Sequence, residues 1–440
     1  MKTTPKTKLY KIVATVLVTI FTLFALTACE FLDQLLRDIL DSEYTPRQSG
    51  DSIQSDYFAH HLIGEDQREE NPIRPIDDPS VETVDLTHLP YYQNSASSVN
   101  GALATLLETV TAGKRPILSQ DPENPVTQIY NAAIEVLDTY IKNDFTQFER
   151  ILAIYEWIIY FVDYDYALLD AYLIDGPIEG GNDNPAFHMS GVFISRLAVC
   201  DGMSKAFSLL AGIEGIEAQR ILGWYPNYDN GKLSQYVGHA WNKVNVATPD
   251  PATGEYGEKH WYLVDVTFGN FAIYNSSQNR YTEYLTRAYF LIEDSPDHLQ
   301  DDLYHQPKGA TINKKDTPSK ASYPGGGNKI YAVADTVWDY YAWRTYEYEG
   351  ATYRPYAHTL QEVKNYLQSY AVPNKFRGVE IKLVTPAGTA ARDAFDFKEL
   401  EKILRQLSGV PNGTPMGYYT AGLHKDVLMI TFHYPYPTQS

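Results

Sequence analysis

Cysteine is scarce: Cys29 and Cys200 are the two in 440 residues. Two cysteines in an exported protein would normally suggest one disulfide, and they exclude a disulfide-dense scaffold. Basic residues are in deficit as well, with 36 Lys+Arg against 55 Asp+Glu and a formal charge of −19. Residues 1–28 hold four lysines and no acid, so the rest of the chain carries −23. An envelope this acidic repels phosphate backbones and anionic headgroups, and no nucleic-acid partner is expected. His260, His298 and His305 lie near acids, as in Asp297-His298, but no ligand spacing recurs, so neither a metal nor another cofactor is expected. Internal repeats are missing too. What is abundant is aromatic: six Trp and 36 Tyr are more than a disordered chain carries, so most of the length should fold.

One long apolar run is present, at 12–26, behind a basic start of Lys2, Lys6, Lys8 and Lys11. That matches the charged and apolar regions of a secretory signal and is short for a membrane span. The run ends in Leu26-Thr27-Ala28-Cys29, which resembles the lipobox of bacterial lipoproteins. The resemblance implies a signal peptide over 1–28, lipidation of Cys29, and anchoring in the cell membrane on its extracytoplasmic face. The blander readings are a cleaved signal with an incidental cysteine, or an uncleaved anchor. With Cys29 lipidated, Cys200 has no thiol to pair with. In an oxidising compartment a lone thiol without a use is a liability, which raises the odds that it is functional.

At this length two domains plus a tether are expected. Residues 31–40 could form a short amphipathic helix near the lipid. The polar, acidic, proline-bearing stretch to about residue 84 reads as an irregular tether, giving a lipidated N-terminus and tether over 29–85. Helical spacing then predicts helices over 99–111, 126–141 and 148–162. The last runs into Asp163-Tyr164-Asp165-Tyr166. After a Gly/Asn-rich loop, Met203, Phe207 and Leu210 fall on one stripe, and Gly215 suits a left-handed helix stop. Strands are expected at 218–224, 239–246 and 260–266, with a long hairpin loop over 248–259. Helices followed by antiparallel strands read as an α+β domain over 86–305, with its core at 145–270. A Pro/Gly-rich linker at 306–328 leads to a small α/β-type domain at 329–440. There helix-like runs (359–370, 397–407) alternate with strand-like ones (378–384, 427–434), and no catalytic grouping is visible.

The chemistry gathers in the first domain. Cys200 opens an apolar helix, in Ala198-Val199-Cys200-Asp201-Gly202-Met203. A thiol at a first helical turn meets the positive end of the macrodipole and unpaired N–H groups. Cysteines so placed commonly have a pKa between about 3.5 and 7.5, and the same N–H groups can receive an oxyanion. Gly202 would leave room for a substrate beside the backbone. A lone cysteine is otherwise usually a small buried hydrophobe. His239, in Gly238-His239-Ala240-Trp241-Asn242, and Asp265, in Trp261-Tyr262-Leu263-Val264-Asp265-Val266-Thr267, change the balance. On paired strands a single register would set imidazole beside carboxylate, fixing its tautomer. Thiol, imidazole and carboxylate in that order are the parts of a nucleophilic cysteine hydrolase or acyltransferase. Asp163 and Asp165 could suggest a carboxylate pair, but ending a helix and orienting a loop is the simpler role.

These three segments, in this order and over roughly 145–270, resemble the transglutaminase-like superfamily, with its papain-like fold and Cys-His-Asp triad. The resemblance implies Cys200 as nucleophile, His239 as general base and acid, and Asp265 as the orienting residue. It implies attack on an amide of a protein or peptide substrate, cell-wall peptide among the options, through a thioester acyl-enzyme. Hydrolysis by a protease or amidase is favoured over protein-glutamine crosslinking. A non-catalytic envelope-binding lipoprotein on the same fold is the rival, and the intact triad argues against it. Two positions depart from the family pattern: Met203 replaces a usual aromatic, and Phe268 a common tryptophan. Both should alter substrate fit more than the triad. A second oxyanion donor is not placed; His188, Ser190 and Asn184 lie upstream as loop residues.

Overall fold

A computed structural model describes residues 68–169, 183–229, 232–275, 280–294, 299–300, 332–376, 378–386, 389–410, 416–422 and 425–432. The expected signal, lipidation site and amphipathic segment, together with His298 and His305, lie outside the described residues. Among the described residues no helix is long and apolar enough to cross a membrane.

Three helices form where local start signals place them. Helix α1 (Ala96–Thr111) is capped by Ser95, whose side chain accepts from the Ser98 N–H. Helix α2 (Pro125–Tyr140) has Asn124 as its cap and a proline at its first position, where a missing N–H costs nothing. Helix α3 (Gln147–Phe161) opens with a full capping box between Thr146 and Glu149. Residues 150–160 of α3 are buried all round, as a helix in the middle of a core must be. Helix α4 (Cys200–Ile213) packs against α1 and α3. It stops at Gly215 (φ +67°): the Gly215 N–H reaches the Gly212 carbonyl at 3.0 Å and the Ile216 N–H the Ala211 carbonyl at 2.9 Å. That paired closure is available cheaply to glycine alone.

Strands β1 (Glu217–Asp229), β2 (Lys232–Pro249), β3 (Tyr256–Val264) and the short β4 (Leu299–Gln300) make an antiparallel sheet of order β4-β1-β2-β3. The strands outrun their sequence signals, so the hairpin loop expected over 248–259 shrinks to the turn at 250–255, held by Asp250 side-chain bonds to the Ala252 and Thr253 N–H groups. Helices on one side and antiparallel strands make the fold α+β.

Part of the stretch expected as tether is built into this domain. Arg68 pairs with Glu135 at 2.7 Å, buried Arg74 meets Asp138 and lies 3.9 Å from Glu214, and Ile76 and Leu86 enter the core. Strand 83–85 pairs in parallel with 115–117.

The C-terminal sheet has strands β5 (Tyr356–Ala357), β6 (Gly378–Leu383), β7 (Met416–Ala421) and β8 (Val427–Phe432) in the order β5-β6-β8-β7. Its β5–β6 pair is parallel and the other two pairs are antiparallel. Helices α5 (Leu360–Tyr366) and α6 (Phe397–Arg405) supply buried residues to the same cluster. Strand β8 is buried on both faces, and its period-two alternation serves two cores. Val427 and Met429 join the core of the first domain, while Leu428, Ile430 and Phe432 fill the second. Trp338, Tyr340 and Tyr341, beyond the expected linker, also belong to the first core.

Candidate functional site

Cys200 is the first helical residue of α4, half-buried and free. The N-cap is Val199, which offers no side chain to the first-turn N–H groups. Those groups are therefore open to other partners. The next residue, Asp201, would repel a thiolate if left bare. It is held by the Lys205 ammonium at 2.7 Å and by Arg220, so the carboxylate beside the thiol is neutralised locally. Burial lowers the Lys205 pKa against the pull of Asp201, and its ammonium also donates to the Phe187 carbonyl at 2.7 Å.

Gly202 serves packing and not substrate approach. A Cβ there would lie 2.4 Å from the Ala186 carbonyl oxygen and 3.0 Å from that of His188. The loop before α4 fills the space that the sequence left open for a ligand. Met203 is likewise wholly buried, with the Thr267 hydroxyl 3.8 Å from its sulfur. It lies beneath the turn that Asp265 caps.

His239 sits on β2 opposite Gly223 of β1 and is 7% exposed. Its Nε2 lies 2.7 Å from Oδ2 of Asp265, and its ring is hydrogen-bonded to the Cys200 side chain. With Nε2 committed to the carboxylate, Nδ1 is the atom left for sulfur. Aromatic rings enclose the imidazole: Trp241 stacks at 5.6 Å, Phe268 at 5.0 Å and Tyr225 at 5.8 Å between centroids. Burial alone would discharge the ring. The Asp265 carboxylate and Cys200 outweigh it and raise the pKa from 6.5 to about 10.

Asp265 is not on a strand, as the sequence pattern suggested. The β2–β3 ladder ends at the Asn242–Val264 pair, and Asp265 caps the helical turn Val266–Gly269. Its Oδ1 accepts the N–H groups of Thr267 at 3.0 Å and Phe268 at 3.3 Å, leaving Oδ2 for His239. One fully buried carboxylate is thus satisfied on both oxygens, which a buried charge requires. The turn seats on α3 through Gly269, where a Cβ would stand 2.5 Å from both the Tyr155 hydroxyl and Ile159. Asn242 ties β2 to α4 by donating to the Ser204 carbonyl at 3.1 Å and the Ser208 hydroxyl at 2.8 Å.

The structure therefore gathers Cys200, His239 and Asp265 at one place. Asp165 takes the simpler role, capping a short turn by accepting the Leu168 N–H at 2.9 Å. Asn184 caps its own turn at Ala186. His260 is exposed on β3, and among the described residues no group of three or more His, Cys, Asp or Glu is placed to hold a metal. Sequence reasoning missed Tyr164 as a neighbour of Cys200: burial, and after it the charge of Cys200, raises the Tyr164 pKa well above the ordinary tyrosine value. Only the pairing of 163–164 with 197–198 brings it there, and no local pattern announces that contact.

Residues 135–266 match the model of the transglutaminase-like superfamily. Human kyphoscoliosis peptidase is 25% identical over 173 residues, which cover 38% of this chain and 23% of the relative. The mouse kyphoscoliosis peptidase is 24% identical over the same length and shares. The chain thus spans under a quarter of these relatives. A solved structure described as that of a TGase is 16% identical over 32% of this chain and 30% of its own, with a TM-score of 0.23.

Proposed function

We propose, on the premise that residues 135–266 form a transglutaminase-like superfamily domain, that this chain is a cysteine enzyme acting on amide bonds of protein or peptide substrates. The observation that carries the proposal is the contact chain at α4: Cys200 at the first turn, bonded to His239, whose far nitrogen is fixed 2.7 Å from Asp265. Each member needs the next for nucleophilic catalysis.

Cys200, as thiolate with its proton on His239, attacks the carbonyl carbon, and the carbonyl π pair moves onto oxygen. The N–H of Cys200 faces that oxygen. Collapse breaks the C–N bond as His239, charged beside Asp265, gives its proton to the departing amine. Water then attacks the thioester carbon as His239 takes its proton, and collapse breaks the S–C bond, releasing the acid and returning Cys200 as thiolate beside the charged ring. Hydrolysis is favoured over transfer to an amine, and the peptidase named among the relatives supports this direction. Anchoring through Cys29 on the outer face of the membrane, with wall peptide as one substrate class, is part of the same proposal.

A thiol-directed acyl probe should label the wild type and not Cys200→Ala. A peptide library with and without biotin-cadaverine then separates the outcomes. Cleaved or deamidated peptides support hydrolysis, whereas dominant biotin incorporation dependent on Cys200 makes crosslinking the activity. A folded protein that neither labels nor turns over any peptide would leave a binding module on the same fold.

A further inference from the structure

The first turn of α4 meets two cations that the triad does not use. Asp201 directly follows Cys200, and its carboxylate is shared: Oδ2 takes the Lys205 ammonium at 2.7 Å and Oδ1 the Arg220 guanidinium. Lys205 also donates to the Phe187 carbonyl at 2.7 Å, and its side chain is 17% exposed. Arg220 is less fully used. Only its Nη1 is engaged; among the described residues Nε and Nη2 meet no other protein acceptor, and the side chain is 25% exposed. The sheet fixes where it stands. Arg220 of β1 is in register with Asn242 of β2, whose amide is bonded to the Ser204 carbonyl and the Ser208 hydroxyl of α4.

Two cations on one carboxylate leave a positive charge over beside the thiol, in a chain that carries −19 overall. Lys205 alone completes an i,i+4 pair with Asp201, so neutralising that carboxylate does not call for Arg220 as well. The unused edge of a guanidinium is a planar fork matched to a second carboxylate. An extended peptide advances about 3.3–3.6 Å per residue, so a side chain about one to three residues from the attacked amide spans the gap between the sulfur and a group bonded to the next residue. We propose that Arg220 is a specificity-determining residue, binding a substrate carboxylate that flanks the amide Cys200 attacks, which narrows the substrate class to acidic peptides. The inference rests on the reading of Cys200 as nucleophile. Asp201 then has a second duty: it holds the guanidinium in place before the substrate arrives, which lowers the cost of ordering it on binding. An acidic peptide is repelled by a surface this negative, so a local excess of positive charge also favours its landing at the thiol.

The test uses the purified full-length protein and two series of thiol-directed peptides. One series has an N-terminal bromoacetyl cap and the other a C-terminal chloromethyl ketone, so the chain leaves the sulfur in either direction. Each peptide carries Glu or Gln at the first, second or third position from the reactive carbon. In the wild type the best-placed Glu probe should half-saturate at a concentration about ten-fold below its Gln twin, the scale of a hydrogen bond to a charged group at a partly exposed site, with similar maximal rates. Arg220→Gln should bring that ratio to one or below. Any change in thiol reactivity from baring Asp201 falls on both twins and cancels. Arg220→Lys, which keeps the charge and loses the fork, should give an intermediate ratio. Should Arg220→Gln not fold, the wild type still decides: about 1 M NaCl, with a screening length of about 3 Å, should shrink the preference. Equal affinity within every Glu and Gln pair in the wild type, a preference that persists in Arg220→Gln, or one indifferent to salt overturns the assignment. A Cys200 that neither series alkylates in the folded protein overturns the nucleophile reading instead, a separate result from the same assay.

Discussion

Arg287 meets Glu380 twice, through its backbone N–H at 3.0 Å and its Nη1 at 3.1 Å, across 93 residues of chain. The guanidinium is fully buried and also grips Glu156 of α3, with Nη2 at 2.9 Å and Nε at 3.1 Å. Tyr341 donates to the same Glu380 at 2.6 Å. Thr286, next to Arg287, gives its carbonyl to the Tyr155 hydroxyl and its N–H to the Gly269 carbonyl. The C-terminal sheet is thereby tied, through one buried cation, to the turn that carries Asp265.

Removing one side of a buried ion pair strands the other. Glu380→Ala should cost about 3–5 kcal/mol, the range for breaking such a pair. Glu380→Gln, which can still accept one hydrogen bond, should cost less. Urea unfolding of the two variants checks this, and wild-type stability in Glu380→Ala would show that the two cores do not depend on this contact. A chain ending before residue 332 should fare worse, because it also strips Trp338, Val427 and Met429 from the first core.

Neutralising Asp265 separates its two duties. Asn caps a helical turn as well as Asp, so the bonds from Thr267 and Phe268 survive in Asp265→Asn. The charge that stabilises the imidazolium does not. The variant should remain folded yet turn over about 10³–10⁴-fold more slowly, the scale for a triad aspartate. Unchanged turnover with an intact fold would remove Asp265 from the site.

Gly269→Ala tests whether the seat of that turn matters. The added Cβ would meet the Tyr155 hydroxyl and Ile159 at 2.5 Å, so the turn must shift. A loss of about 1–3 kcal/mol is expected from overpacking, with a fall in turnover as Asp265 moves off His239. Adding Tyr155→Phe removes the hydroxyl but leaves Cζ at 2.9 Å and takes the donor from the Thr286 carbonyl, so turnover should recover in part and stability should not. Kinetics on the single and double variants decide it.

What was legible in the sequence was mostly local. Apolar spacing announces the helices over 99–111, 126–141 and 148–162, and Gly215 announces the end of α4; the Ser95, Asn124 and Thr146–Glu149 caps that set the true starts were not read. Cys200, His239 and Asp265 could be named because the order of thiol, imidazole and carboxylate is chemically restrictive. Their supports were not legible, since each arises from contacts across long stretches of chain. Gly202 looked like space for a substrate until the 186–188 carbonyls filled it. Asp265 read as a strand residue because Trp261, Leu263 and Asp265 alternate, whereas its two accepted N–H bonds draw it into a cap. Tyr164 and Glu380 carry no local mark of the residues they reach.

Cys29 should carry lipid, and Cys200 should stay unpaired. Cells fed a labelled fatty acid should incorporate it into the wild type and not into Cys29→Ser. A Cys29–Cys200 disulfide in a peptide map would refute both halves.

His239 sets the pH dependence. Its pKa rises from 6.5 to about 10 because Asp265 and Cys200 outweigh burial. A histidine raised on folding adds stability that is fully present below its unfolded pKa and lost as pH climbs through the folded one. The stability gap between wild type and Asp265→Asn should therefore be widest near pH 6 and close as pH rises from 6.5 towards about 10. The imidazolium is also the proton source for the leaving amine, so acylation should fall with a one-proton slope on the alkaline side. Without the Asp265 charge that limb should move acidward, towards the ordinary histidine value. The NMR titration of the His239 ring proton measures the first quantity directly, and the pH profile of acylation the second. A ring that titrates near 6.5 in the wild type would mean that the 2.7 Å contact with Asp265 does not hold the charge.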